Sequence, residues 1–261
     1  MNNVNKTLYI PLYGKAYVSR KGIILNDKKA EEIWEKEGIP LKGKSKSKWL
    51  AYYMGMRSAV FDNWIVEQMK KDSEAVVLHI GCGMDSRVLR VGTGGHDWYD
   101  IDFPSVIAER KKYYTQDNVY HMVEADVREQ NWLLDIPKAK HAIIVMEGVS
   151  MYFKPQELNM VLEQISSHFI SVNLLMDAYT TMAAKASKYK NPINDIGVTQ
   201  VYGLDEPKVL ENGKLTFCKE HEMTPEEKIN ELEGLEKIIF KKLYSGGIAK
   251  KMYCMYEYVQ G

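Results

Sequence analysis

The sequence predicts an α/β fold built on a doubly wound, mostly parallel, seven-stranded sheet, and three observations carry that prediction. First, residues 76–80 and 141–146 are short apolar runs rich in β-branched side chains. Strands covered on both faces read this way, because neither face needs polar alternation. Second, the earlier run ends in Gly81-Cys82-Gly83. Such a turn bends the chain sharply and leaves no Cβ between backbone and ligand. A strand, a Gly-x-Gly turn and a helix form the opening unit of nucleotide-binding sheets. Third, successive strands end in either that turn or an acid. Open α/β sheets bind ligands beyond the carboxyl ends of their strands.

Taken in order, residues 9–15 are aromatic and interrupted by Pro11 and Gly14, which predicts a loop packed on the body of the protein. Residues 27–37 read as a short amphipathic helix with Ala30, Ile33 and Trp34 on one face. Residues 42–48 form a basic, solvated hinge. A long helix follows over 47–71, and Arg57 sits inside its apolar stripe, four residues from Tyr53 and from Phe61. A buried arginine without a partner is costly. Either it pairs with a structural acid or snorkels outward, or its planar fork holds a ligand carboxylate.

After the glycine turn, residues 84–91 begin a helix whose free N–H groups face the ligand. Ser86 stands where a third glycine would complete G-x-G-x-x-G, which weakens a dinucleotide reading. The second strand, 96–103, carries Asp100 and Asp102 on one face. Asp102 follows Gly83 by 19 residues, close to the spacing of about 20 expected for a carboxylate that grips ribose hydroxyls. Residues 104–114 form a helix with Pro104 in its first turn. The third strand, 119–123, leads to Asp126; the fourth, 141–146, leads to Glu147. A helix at 155–169 and a fifth strand at 171–178 continue the alternation. Residues 179–213 break it, and an insertion of that length beside the sheet edge reads as a lid. A strand at 214–220, a helix capped by Thr224, a turn at Gly246-Gly247 and a last strand at 252–259 complete the chain.

The organisation that follows is one domain. Residues 1–72 make a helical extension, 73–178 the ligand-binding core, 179–213 the lid, and 214–261 the rest of the sheet. The 261 residues are 45% hydrophobic, enough for a sizeable core. Lys and Arg number 35, as do Asp and Glu, and this balance argues against a nucleic-acid or anionic-membrane partner. Three scattered cysteines fit a reducing, cytoplasmic setting. No run approaches the roughly 20 apolar residues that span a bilayer, and the N-terminus lacks a signal pattern. His79 lies inside the first strand and reads as a core histidine; the other five show no metal-ligand spacing.

The segments LHIGCGMDSR, YDIDFP, EADVR and MEGVSMYF, in that order, resemble the leucine carboxyl methyltransferase family of class I S-adenosylmethionine-dependent methyltransferases, whose fold is Rossmann-like. The closer resemblance is to its bacterial branch of small-molecule O-methyltransferases of the tetracenomycin C synthesis type. The resemblance implies that Gly81 and Gly83 admit the methionine part of S-adenosylmethionine, and that Arg57 and Lys15 hold its carboxylate. It implies that Asp102 binds the ribose, that Asp126 and Val127 take the adenine, and that Glu147 faces the ammonium group. Tyr152 would line the site near the transferred methyl and position the reactants. The leader and residues 179–213 look unlike the protein-modifying members, which favours a small-molecule acceptor over a protein carboxyl terminus, with the chain acting as a monomer or homodimer. No Ser/His/Asp or Cys/His set is visible, which suits a carboxylate acceptor, already ionised at neutral pH; a hydroxyl acceptor would need a base. The rival readings are a module that binds S-adenosylmethionine without transferring a methyl, and an NAD-dependent oxidoreductase, which Ser86 disfavours.

Overall fold

A computed structural model describes residues 8–38, 41, 43–190 and 200–261. Seven strands form one sheet: β1 (Val76–Ile80), β2 (Trp98–Asp102), β3 (Tyr120–Glu124), β4 (His141–Met146), β5 (Ser171–Tyr179), β6 (Thr216–His221) and β7 (Tyr253–Gln260). Their order is β3-β2-β1-β4-β5-β7-β6. The first five are mutually parallel, and β7 runs antiparallel to both β5 and β6. The central register sets Leu78 beside Tyr99 on one side and Ile144 on the other.

Alternation along the inner strands builds two cores. Val77, Ile143 and Val145 face helices α1 (Tyr9–Lys21), α2 (Lys28–Glu37) and α3 (Lys48–Met69), packing on Leu12, Ile33, Phe61 and Ile65. Val76, Leu78, Ile80 and Ile144 face the opposite side, covered by Val161, Leu162 and Ile165 of α6 (Pro155–His168). Shorter helices α4 (Arg87–Val91) and α5 (Pro104–Arg110) link β1 to β2 and β2 to β3. With both faces largely apolar, the polar groups of the central strands lie at the strand ends, apart from the buried His79–Asp100 pair.

Several elements differ from expectation. Residues 9–15 are the start of α1, not a loop. Pro11 lies in the first turn, where its missing N–H is not needed. Gly14 does not break the helix; it permits a close crossing, since a Cβ there would come within 2.8 Å of Met54 Cβ. The helix after the glycine turn starts at Arg87 rather than Met84, because Asp85 is drawn to Lys15 at 2.8 Å and to Arg90 at 2.7 Å. The position before α8 (Glu226–Ile229) is taken by Pro225, not Thr224. Gly246-Gly247 opens a short helix, α10 (Gly246–Lys250), where a turn was expected. Helix α9 (Gly234–Tyr244) was not anticipated; Phe240 anchors it against Tyr52 and Met56 of α3. Of the expected lid, 191–199 lie outside the described residues. The rest holds α7 (Thr181–Lys190) and a single turn at Pro207–Leu210.

Asp100 illustrates how the sheet carries charge inside. It is fully buried on β2 and pairs with Arg110 of α5. It accepts hydrogen bonds from Tyr120 Oη at 2.7 Å, Trp98 Nε1 at 3.0 Å and His79 Nδ1 at 3.1 Å. Burial alone would raise its pKa, but Arg110 and these hydrogen bonds outweigh that and hold it at about 2. An unfolded aspartate titrates near about 3.9, so this contribution is complete above that pH and disappears as pH falls toward about 2. Denaturation followed by circular dichroism should show stability falling over that window. Asp100→Asn should cost about 3–5 kcal/mol at neutral pH by leaving Arg110 unpaired, and the acid limb should become shallower.

Candidate active site

A cavity of about 600 Å³ opens at the carboxyl ends of the parallel strands. Its wall brings together seven of the residues expected from the sequence: Lys15, Arg57, Gly81, Gly83, Asp102, Glu147 and Tyr152. Asp126 and Val127 do not line it. The Asp126 carboxylate is held by Arg128 at 2.8 and 3.1 Å from Nε, and it is Arg128 that reaches the cavity. Val127 is buried in the core on the α6 side of the sheet.

The glycine turn has a backbone that only glycine adopts readily. Gly81 and Gly83 take φ of +67° and +52°, a conformation that side chains resist. A Cβ on Gly81 would also lie 2.3 Å from Val149 Cγ2. The Gly83 N–H donates to Asp102 Oδ2 at 2.8 Å, and the Phe103 N–H donates to Oδ1 at 2.8 Å. Both oxygens of Asp102 are thus oriented by backbone at the mouth of the turn. Burial nevertheless raises its pKa, with the two backbone bonds opposing the rise.

On the α3 side the wall is an ionic cluster. Arg57 donates from Nη2 to Glu147 Oε1 at 2.8 Å, and from Nη1 to Asp177 Oδ2 at 3.0 Å and Tyr253 Oη at 2.9 Å. Its Nε has no partner among the described residues. Lys15 lies 3.7 Å from Glu147. Arg87 contacts Glu147 directly, and donates from Nε to Asp62 at 2.8 Å. Arg90 joins Asp62 at 2.6 Å and Asp27 at 2.7 Å. Burial opposes ionisation of Glu147, but Lys15, Arg57 and Arg87 hold its carboxyl well below the usual range. Asp177 is shifted the other way, its pKa raised by burial despite Arg57.

Arg57 thus has the structural acids that one reading of its position required, and it also lines the cavity. His79 is a satisfied core histidine, as expected. Arg87 Nη1 donates to its Nε2 at 2.9 Å, which leaves Nδ1 to carry the proton toward Asp100. Burial and the Arg87 charge lower its pKa, so it stays neutral and clamped. Asp177, Tyr253, Arg87 and Arg128 were missed from the sequence. Asp177 had one signal: like Glu147, it lies near the end of an apolar strand.

The residues present suit an α-amino acid joined to a nucleoside. Lys15 and Arg57, with Asp85 and Glu147, offer both signs of charge at one end, which suits a carboxylate and an ammonium group. A glycine cradle lies beside them, Asp102 is presented beyond it, and the buried Arg57 Nε–H lacks an acceptor. Fold and site together define a class I methyltransferase. Solved structures share the architecture: a methyltransferase from Thermobifida fusca superposes with a TM-score of 0.61 at 13% identity, covering 95% of this chain and 94% of that one. Magnesium protoporphyrin IX methyltransferase from Synechocystis gives 0.55 at 12% identity, covering 90% and 95%. The pattern described as leucine carboxyl methyltransferase matches residues 8–166, and the chain belongs to that family. Its cofactor is accordingly S-adenosylmethionine. Two relatives support the assignment. The tetracenomycin polyketide synthesis O-methyltransferase of Streptomyces glaucescens is 27% identical, over 81% of this chain and 79% of its own length. An S-adenosylmethionine-dependent methyltransferase of Gibberella zeae is 23% identical, over 81% and 78%.

Arg57→Ala should weaken S-adenosylhomocysteine binding by about ten- to a hundredfold, the loss of a charged hydrogen bond. Isothermal titration calorimetry would measure it. Tyr253→Phe, which removes one of the groups that orient Arg57, should lose several-fold in the same assay while leaving kcat nearly unchanged.

Proposed function

We propose that the protein is a small-molecule O-methyltransferase whose acceptor oxygen belongs to a carboxylate. The observation that carries this reading is the state of the titratable groups around the cavity. His79 is locked between Arg87 and Asp100. Asp85 and Glu147 are held by cations, and Asp102 by backbone N–H groups. Among the described lining residues none is a free imidazole or carboxylate placed to remove a proton. A carboxylate needs none, being ionised and nucleophilic at neutral pH.

S-adenosylmethionine supplies the electrophilic methyl. Lys15 and Arg57 hold the cofactor's carboxylate, Glu147 its ammonium group and Asp102 the ribose hydroxyls. Gly81 and Gly83 let the backbone close on the methionine chain. Asp126 and Val127, expected at the adenine, do not line the cavity; Arg128 and Phe103 do, and would flank the adenine instead. Tyr152, 38% exposed, lies where its ring can face the sulfonium and position the acceptor. Leu50, Met54, Met151 and Phe153 line the remaining wall. A wall of this kind excludes water and strengthens the attraction between carboxylate and sulfonium. When the cofactor is bound, the part of the wall around Tyr152 would hold the acceptor oxygen within reach of its electrophilic methyl group. The relatives' names favour a small acceptor over a protein.

The test is methyl transfer to a panel of carboxylic acids and phenols, followed by mass spectrometry. The expected product is an ester, released by mild alkali, whereas a phenol ether would survive. The kcat profile should be flat between about pH 6 and 9, with no rising limb for a base. Asp102→Ala should raise the KM for S-adenosylmethionine about tenfold or more. Tight cofactor binding with no transfer to any acceptor would favour a non-catalytic module.

A further inference from the structure

We infer that Gln200 recognises the acceptor's carboxylate and so sets acceptor specificity, an assignment that rests on the carboxylate reading above. The sheet order divides the cavity. Asp102, the glycine turn and Glu147 stand at the ends of β2, β1 and β4, which are neighbours in the sheet. The cofactor assigned to them spans those three strands, and the side toward β5 is left for the acceptor. Tyr152, Tyr179, Gln200 and Tyr253 line that side, and none carries a formal charge. Lys15 and Arg57 are assigned to the cofactor's carboxylate, Arg128 is paired with Asp126, and His79 is locked between Arg87 and Asp100. Among the described lining residues the carboxamide of Gln200 is the side-chain N–H donor that remains.

The chain fixes the place of Gln200. Residues 201–205 form a strap between the turn at Ser150–Tyr152 and the end of β5. The Tyr202 N–H donates to Met151 O at 2.8 Å, and the Leu204 N–H donates to Tyr179 O at 2.7 Å. The Thr181 N–H donates to Asp205 Oδ1 at 2.8 Å. Val201 is buried in the core on the α3 side. Gly203 lies so close to the backbone after β5 that a Cβ there would come within 2.4 Å of Thr181 N. Gln200 directly precedes this pinned strap and forms part of the cavity wall. Exposed polar side chains are ordinarily just solvated; a strap tied to Met151 and Tyr179, themselves lining residues, sets this one apart.

A neutral donor is what the chemistry asks for. Methyl transfer removes the charge of the carboxylate, so a cation at its oxygens would stabilise the reactant more than the transition state. An amide N–H can orient the oxygen that does not attack while holding the anion less strongly than a cation would.

The probes are benzoate, phenylacetate and octanoate, each beside its neutral amide, titrated by calorimetry into the full chain saturated with S-adenosylhomocysteine. In the wild type at least one acid should bind about tenfold more tightly than its amide. Gln200→Ala should weaken that acid about tenfold and its amide less, because a hydrogen bond to a charged group is about twice as strong as a neutral one. Gln200→Glu, close in size but anionic, should weaken the acid at least about tenfold through like-charge repulsion. Melting temperature and S-adenosylhomocysteine affinity should stay at wild-type values in both variants, since Gln200 is exposed and stands at the acceptor end. Equal weakening of acid and amide, or variants that bind the acid like wild type, would overturn the assignment of Gln200 and leave the carboxylate reading standing. Acids that bind the wild type no better than their amides, or not at all, would overturn both.

Discussion

The contact between Arg87 and Glu147 is the constraint on which the rest of the structure turns. Glu147 follows β4 directly, and Arg87 opens α4 just beyond the β1 turn. Their contact locks the ends of two central strands to one another. Arg87 then reaches Asp62 on α3 and His79 on β1, while Glu147 reaches Arg57 and Lys15 on the helical extension. Buried ion pairs add little net stability compared with apolar packing, because desolvation offsets most of the attraction. Their effect is geometric. Removing either partner leaves an uncompensated charge, so alternative arrangements of these elements are excluded.

The division of labour follows from the sheet. Two apolar cores on opposite faces stabilise the fold and leave no room for polar function at mid-strand. Polar groups accumulate at the carboxyl ends, where the chain leaves the sheet. The extension 9–69 has a double role there. It covers one apolar face with Phe61, Trp64 and Ile65, and the same helices carry Lys15 and Arg57 into the rim. A close crossing of α1 and α3 at Gly14 makes this possible, so the cavity wall and the core are parts of one packing arrangement.

The sheet was legible in the sequence because each strand is local: five or six apolar residues suffice to declare it, and the glycine turn or acid at its end follows by position. The ion pairs were not legible, because Arg57 and Asp177 are 120 residues apart and Arg57 and Tyr253 are 196 apart. No spacing rule links them; only the β4-β5-β7 adjacency does. The leader was misjudged for a different reason. Proline and glycine usually punctuate, but at a first turn and at a helix crossing they do neither harm nor signalling. Helix α9 escaped notice because its outward face is as apolar as its inward one, which blurs the helical pattern.

The same ionic cluster bears on the proposed carboxylate acceptor. Lys15, Arg57, Arg87 and Arg90 face Asp27, Asp62, Asp85, Glu147 and Asp177, four cations against five carboxylates. The alternation is nearly neutral, and the α-amino acid end of a ligand is itself a zwitterion. It can join that alternation without adding net charge to a buried site, so neither partner is left carrying an unopposed ion. A general base beside this cluster would be subject to its field. The cations hold Glu147 ionised and weakly basic, burial raises Asp177 despite Arg57, and burial together with Arg87 keeps His79 neutral. An acceptor that arrives already ionised avoids that conflict. The electrostatics that shape the cofactor end of the cavity thus favour chemistry at the acceptor end that requires no proton transfer to the protein.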